Sequence, residues 1–289
     1  MRRVEDLESV SLWHATHAHS LYAVVVPFVG NTARVELLIP NRPVDRASLA
    51  REMGTGRRVA EEETIAYWSA VLDGGARVNV PVPLVDNAFK ASPWKIFTIA
   101  EKSPREQTAS PIMGAFSYDA VWAVGACWAI TWGLDYRGYH REAAEYLEVF
   151  RRYQGQANPA GHFAECDGFL SVPEHFGGIR WLSDHGAVLW SVCQHYLFTE
   201  DGRFLETWLP SVLKGCEWIV TQLDHGDHPG IRGLMPPGRA TDDATPGQFV
   251  WSDGWIYKGL CAAVKLLRAA SHLAADRYDE LFRDELEGK

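Results

Sequence analysis

Three stretches of this chain set a carboxyl beside an indole: Ser117-Tyr118-Asp119-Ala120-Val121-Trp122, Ser183-Asp184-His185-Gly186-Ala187-Val188-Leu189-Trp190, and Trp251-Ser252-Asp253-Gly254-Trp255. A carboxyl against an apolar ring can move a proton or hold a hydroxyl. An indole face suits a sugar ring or another flat, partly apolar ligand. The first and third stretches agree further, with Gly125 and Gly259, Cys127 and Cys261, and Ala129 and Ala263 at the same offsets from the aspartate. The aspartates are 65 and 69 residues apart, the length of two helices plus two loops. That period predicts stacked helical hairpins, with the same end of every inner helix turned to one shared cavity. Each aspartate also has a plainer reading as a helix cap, and the helix dipole then lowers its pKa.

The elements that must position these groups are mostly helical. Apolar spacing predicts helices over 58–73, 84–101 (kinked at Pro93), 118–133, 140–153, 184–198, 203–223, 253–270 and 272–286. Short turns join helices within a hairpin, at Asp135–Tyr139 and Thr199–Gly202. Long loops rich in Gly and Pro, over 154–182 and 224–250, separate the hairpins and fall at the aspartate end. Residues 21–39 read instead as a β hairpin around Gly30-Asn31. The expected division is a β-rich segment over 1–45 and a helical domain over 46–289.

With 47% hydrophobic and 22% charged residues, the chain has enough apolar material for a real core. A net charge of −9 and the lack of a long Lys/Arg run exclude a nucleic-acid partner. No apolar run is long enough to span a bilayer, so no membrane partner is expected. Met1-Arg-Arg-Val-Glu-Asp-Leu-Glu8 has no signal-peptide core, and the expected location is cytoplasmic. The five cysteines form no Cys-x-x-Cys pair and read as reduced core residues.

Phe116-Ser-Tyr-Asp119-Ala-Val-Trp122, Asp167-Gly-Phe-Leu170, Trp181-Leu-Ser-Asp184-His-Gly186, His195-Tyr-Leu-Phe-Thr-Glu-Asp201 and Gly233-Leu-Met-Pro-Pro-Gly238 resemble the bacterial six-hairpin glycosidases, over about residues 58–289. That superfamily, which includes glucoamylases, trehalases and α-L-rhamnosidase-like enzymes, folds as an (α/α)6 toroid. The resemblance implies an all-α chain with about four of six hairpins, and an N-terminal remnant of a β-sandwich. It places the general acid at Asp184 and a sugar-hydroxyl ligand at Asp119. The family's base opens the last hairpin, and the 36 residues after Asp253 are too few to reach it. The expected function is hydrolysis of an O-glycosidic bond, by a glycoside hydrolase or a piece of one, which needs a second carboxyl across the scissile bond.

Trp122, Trp181, Trp251, Trp255 and Asp253 are the expected lining of the sugar cleft. Asp242 and Asp243, with Arg239 beside them, are candidates for base or sugar ligand, although a solvated turn explains them too. Asp167 is a candidate ligand or a plain Asp-Gly turn. His185 is a candidate hydroxyl donor or a structural histidine. No metal site is expected, since neither His14, His17 and His19 nor His225 and His228 gather a full ligand set. No organic cofactor is implied. Two other readings stay open. One is a carbohydrate-binding protein without turnover; the other is a sugar isomerase or epimerase using His185, His195 or Tyr257. A ring open at its edges exposes apolar helix flanks. Self-association in sedimentation velocity is therefore the expected outcome, and a monodisperse monomer with cooperative melting would count against an incomplete ring.

Overall fold

The computed structural model describes residues 12–14, 20–22, 31–32, 45–102, 108–114, 120–172, 180–240 and 245–287. These residues are predominantly helical. By packing, the chain divides into Met1–Ile65 and Ala66–Lys289, so the expected boundary at residue 45 moves into the second helix.

In the N-terminal unit, β1 (Leu12–His14) pairs antiparallel with β2 (Ser20–Tyr22). The hairpin expected over 21–39 lies largely outside the described residues. Helix α1 (Arg46–Thr55) begins at Asp45, whose carboxylate accepts the Ser48 amide at 2.8 Å. Helix α2 (Arg57–Asp73) follows after Gly56.

The larger unit contains α3 (Pro83–Ile99), which continues through Pro93, and a short antiparallel pair, β3 (Ala100–Lys102) with β4 (Ala109–Pro111). The helix expected over 118–133 is shorter and more irregular. Helix α4 covers Ala123–Trp128, then widens into a π-helical stretch, Ala129–Leu134, and tightens into a 3₁₀ turn, Asp135–Arg137. Gly138 ends it with φ +83°, a left-handed conformation that glycine adopts without strain. Then come α5 (His140–Arg152), α6 (Leu182–Thr199), α7 (Gly202–Asp224), α8 (Val250–Ala269) and α9 (Ala274–Glu287).

Burial sorts these helices into two kinds. Every residue of α6 from Leu182 to Cys193 is buried, which is the signature of a central helix. Helices α5 and α7 bury a single stripe each, Ala143, Tyr146, Leu147 and Phe150 in one, Phe204, Trp208, Val212 and Ile219 in the other. Helix α6 packs most extensively on α8, then on α4, while α8 also takes α9. The α6–α8 contact is backbone on backbone. A methyl group added at Gly259 would sit 2.6 Å from the Gly186 carbonyl oxygen and 2.9 Å from its Cα, and one at Gly186 would collide with the Trp255 carbonyl. All five cysteines are free, with Cys127, Cys193 and Cys216 buried. Among the described residues no helix is long and apolar enough to cross a membrane.

Overpacking against backbone cannot be relieved by a rotamer change. Gly186→Ala and Gly259→Ala should each destabilise the fold by about 3 kcal/mol or more. Gly254, on α8 with open space around its Cα, is the control: Gly254→Ala should stabilise by about 0.5–1 kcal/mol. Urea denaturation of the three variants checks this, and equal effects would mean that the close helix contact is not the governing constraint.

Candidate functional site

Asp184 is the third residue of α6, and its position follows from how that helix starts. Trp181 caps the helix with extended backbone, and the Asp184 carboxylate turns back to accept the Trp181 amide at 3.0 Å on Oδ2. The Ser171 hydroxyl donates to the same oxygen at 3.0 Å. Asp184 is 1% exposed, and its Oδ1 makes no hydrogen bond among the described residues. Burial raises its pKa to about 7. The Trp181 amide and the Ser171 hydroxyl pull it back down, and the Val124 amide adds the weakest pull without closing a hydrogen bond to Oδ1. Asp184 is thus a cap and a carboxyl poised near neutrality at once, because burial outweighs the capping bonds.

The neighbouring His185 is buried and committed to the backbone. Its Nδ1 accepts the Leu170 amide at 2.9 Å, which leaves Nε2 as the donor to the Gly215 carbonyl at 3.0 Å. Burial depresses its pKa to about 3, against a smaller upward pull from that carbonyl, so the ring is neutral. Neither nitrogen remains for a sugar hydroxyl.

The indoles gather. Trp122 caps α4 and meets Trp181 edge to face at 5.3 Å between ring centroids, and Trp128 at 5.9 Å. Trp128 stacks on Trp132 at 5.8 Å and touches Trp251 and Trp255 of α8 at 6.3 and 5.9 Å. Trp190 joins Trp132 and Trp255, each at 5.8 Å. Rings from α4, α6 and α8 thereby form one connected group. The side-chain nitrogens of Trp122, Trp128 and Trp181, and the hydroxyls of Ser183 and Ser252, are buried without a hydrogen bond among the described residues. Such groups ordinarily find a partner, water and ligands included. Trp128, Trp132 and Trp190 were missing from the expected lining, although the four-residue step from Trp128 to Trp132 on one helix face was a usable signal. Lys258 was missing too. Its ammonium lies 3.9 Å from the Trp190 ring and 4.5 Å from that of Trp255, and burial lowers its pKa.

The carboxylates do not gather in the same way. Asp253 Oδ1 accepts the Met235 amide at 3.2 Å, and burial raises its pKa against that bond. It opens onto a cavity of about 360 Å³ lined by Ile219, Leu234, Met235, Tyr257 and Leu260, with no tryptophan on its wall. Asp253 and Trp255 therefore face different surroundings from one helix. Asp167 is exposed and pairs with Lys214 at 3.0 Å, at a turn where Gly168 has φ +104°. It is a surface turn residue and not part of the Asp184 surroundings. Arg239 stitches the two long loops to α6, its amide donating to the Ala160 carbonyl at 2.8 Å and its carbonyl accepting the Leu182 amide at 3.0 Å. Asp119, Asp242 and Asp243 lie outside the described residues.

No protein-family model, curated protein or solved structure matches the chain.

The folded pKa of Asp184, about 7, lies above the ordinary carboxyl value of 3.8. The folded state therefore holds a proton that the unfolded state has released, and stability falls as pH rises between these values. The contribution is complete below pH 3.8 and gone above about pH 7. Asp184→Asn keeps an acceptor for Trp181 and Ser171 but cannot ionise. Its stability relative to the parent should therefore rise across that window, by on the order of 4 kcal/mol. Urea denaturation of both proteins at pH 4, 5.5 and 7.5 measures it; a difference independent of pH would place the carboxyl in a solvated setting.

Proposed function

We propose that the loop-rich end of α4, α6 and α8 binds a carbohydrate, and that the chain is a glycoside hydrolase, or part of one, with Asp184 as general acid. The observation that carries this reading is a buried carboxyl poised near pH 7, adjoining Trp181 and Trp122 with their unpartnered N–H groups. A general acid needs a pKa near the working pH, and a sugar supplies both the flat apolar face and the hydroxyls that such a wall lacks. The burial of α4 and α6 on nearly every side, with α8 packed along α6 and α9 along α8, supports a segment of an (α/α) toroid. Hydrolysis requires a second carboxyl. Asp253 opens onto a separate cavity, and Asp119, Asp242, Asp243 or a group beyond this chain are the other candidates.

One observation favours the second reading, binding without turnover. Both described aspartates of the repeat use a carboxylate oxygen to hold backbone amides, as structural caps do. The two readings separate in one experiment. Tryptophan fluorescence is titrated with neutral gluco-, manno-, galacto- and rhamno-oligosaccharides, and turnover of the ligands that bind is followed by reducing-end release. A hydrolase should turn over, with Asp184→Asn binding normally and losing roughly 10²–10⁴-fold in rate. Binding with no turnover in either form selects the binding protein. Absence of binding across the panel, in folded protein, sinks both.

A further inference from the structure

At the other end of α6 the fold assembles a group that no sequence motif announces. Asp135 comes from the 3₁₀ turn after the π-helical stretch, His140 is the first residue of α5, and His195 lies in the last turns of α6. His195 Nδ1 is 2.9 Å from Asp135 Oδ1 and 3.1 Å from Oδ2, and His140 Nδ1 is 3.0 Å from the same Oδ1. The three ligand atoms all lie within 4.8 Å of one another. The Asp135 side chain is fully buried and that of His195 nearly so, whereas the His140 side chain is 43% exposed.

The geometry points to a divalent transition-metal site formed by Asp135, His140 and His195, open to water on the His140 side. Zinc takes imidazole nitrogen at about 2.0–2.1 Å and carboxylate oxygen at about 2.0–2.2 Å, so neighbouring ligand atoms stand roughly 3 Å apart. The two Asp135–imidazole separations, 2.9 and 3.0 Å, are close to that spacing, and the three ligand atoms lie within 4.8 Å of one another. Two imidazoles and one carboxylate suit zinc, cobalt or nickel, and disfavour calcium and magnesium, which seek oxygen. Three protein ligands with one solvent-facing side leave a position for water. Binding needs each imidazole to carry its proton on Nε2, so the ion takes the place of the two Nδ1–H donors that otherwise serve Asp135. An ion here would tie the turn before α5 to the end of α6. It would be separate from the Asp184 surroundings, because the eleven helical steps from Asp184 to His195 span about 16 Å.

The test uses the whole chain, stripped with chelator and dialysed. Cobalt(II) is followed by its visible absorption at pH 7.5, zinc by calorimetry, and magnesium serves as the contrast. One cobalt or zinc per chain is expected, with no magnesium heat and a melting temperature that rises with zinc concentration. His140→Ala, at the half-exposed position, should keep the fold by circular dichroism yet weaken zinc at least roughly 100-fold, beyond the loss typical of an outer-shell change. His195→Ala should abolish binding and serves as confirmation where it folds. The double variant His225→Ala, His228→Ala should bind as the parent does. The proposal is overturned if folded parent protein gives no stoichiometric cobalt spectrum. It is equally overturned if His140→Ala binds normally, or if binding disappears with His225 and His228.

Discussion

The close approach of α6 and α8 at Gly186 and Gly259 is the constraint on which the rest of the larger unit depends. With no Cβ on either side, the Gly259 Cα can lie against the Gly186 backbone, and the Gly186 Cα against the Trp255 carbonyl. Helices that pack this tightly have little room for side chains on the facing line, so bulk must go to the flanks. The flanks are where Trp190 and Trp255 lie, in contact with each other and with rings from α4. The indole cluster is in this sense a consequence of two glycines. Ser183 and Ser252, small and fully buried, lie near the starts of the same two helices.

Helix α6 then acts as a ruler with different chemistry at each end. Near its start the backbone amides need acceptors, and Asp184 supplies one while staying inside the protein. Burial, with no cationic partner among the described residues, drives that carboxyl toward its neutral form, and the capping bonds only moderate the effect. Next to it, His185 anchors the 154–172 loop by its Leu170 amide and α7 by its Gly215 carbonyl. Near the helix's other end, His195 meets a carboxylate from the turn that precedes α5. Two adjacent polar residues in one helical turn thus have opposite roles, because one retains an uncommitted oxygen and the other does not.

Much of this was legible in the amino-acid order. Predicted spans of 140–153 and 203–223 correspond closely to His140–Arg152 and Gly202–Asp224, since α5 and α7 carry one apolar stripe against a polar face. The helix at 118–133 read less well. Its residues are apolar throughout, so periodicity gives no start, and the π-helical widening at Ala129–Leu134 leaves no mark in composition. Helix α1 was unexpected because its residues, Arg46–Thr55, carry few apolar side chains and so no apolar stripe to detect. Among candidate residues, Trp122, Trp181, Trp251 and Trp255 were named from their place beside the aspartates and do share one cluster. Asp167 was named as a candidate ligand with an Asp-Gly turn as its plainer reading, and the structure places it exposed beside that turn, paired with Lys214.

By itself, the sequence determined the helical periods, the absence of a Cys-x-x-Cys pair and the recurrence of acid and indole at similar steps, because each is a property of residue type and spacing along one dimension. Tertiary structure alone decided which recurrences meet. Asp184 and Asp253 share a motif yet lie in different surroundings, since the direction in which a helix end faces depends on its neighbours and not on its own residues. Tertiary structure also joined Asp135 to His195 across 60 positions. Burial, which sets the proton affinity of Asp184 and the neutrality of His185, is a property of the packed whole, and no local stretch of chain carries it.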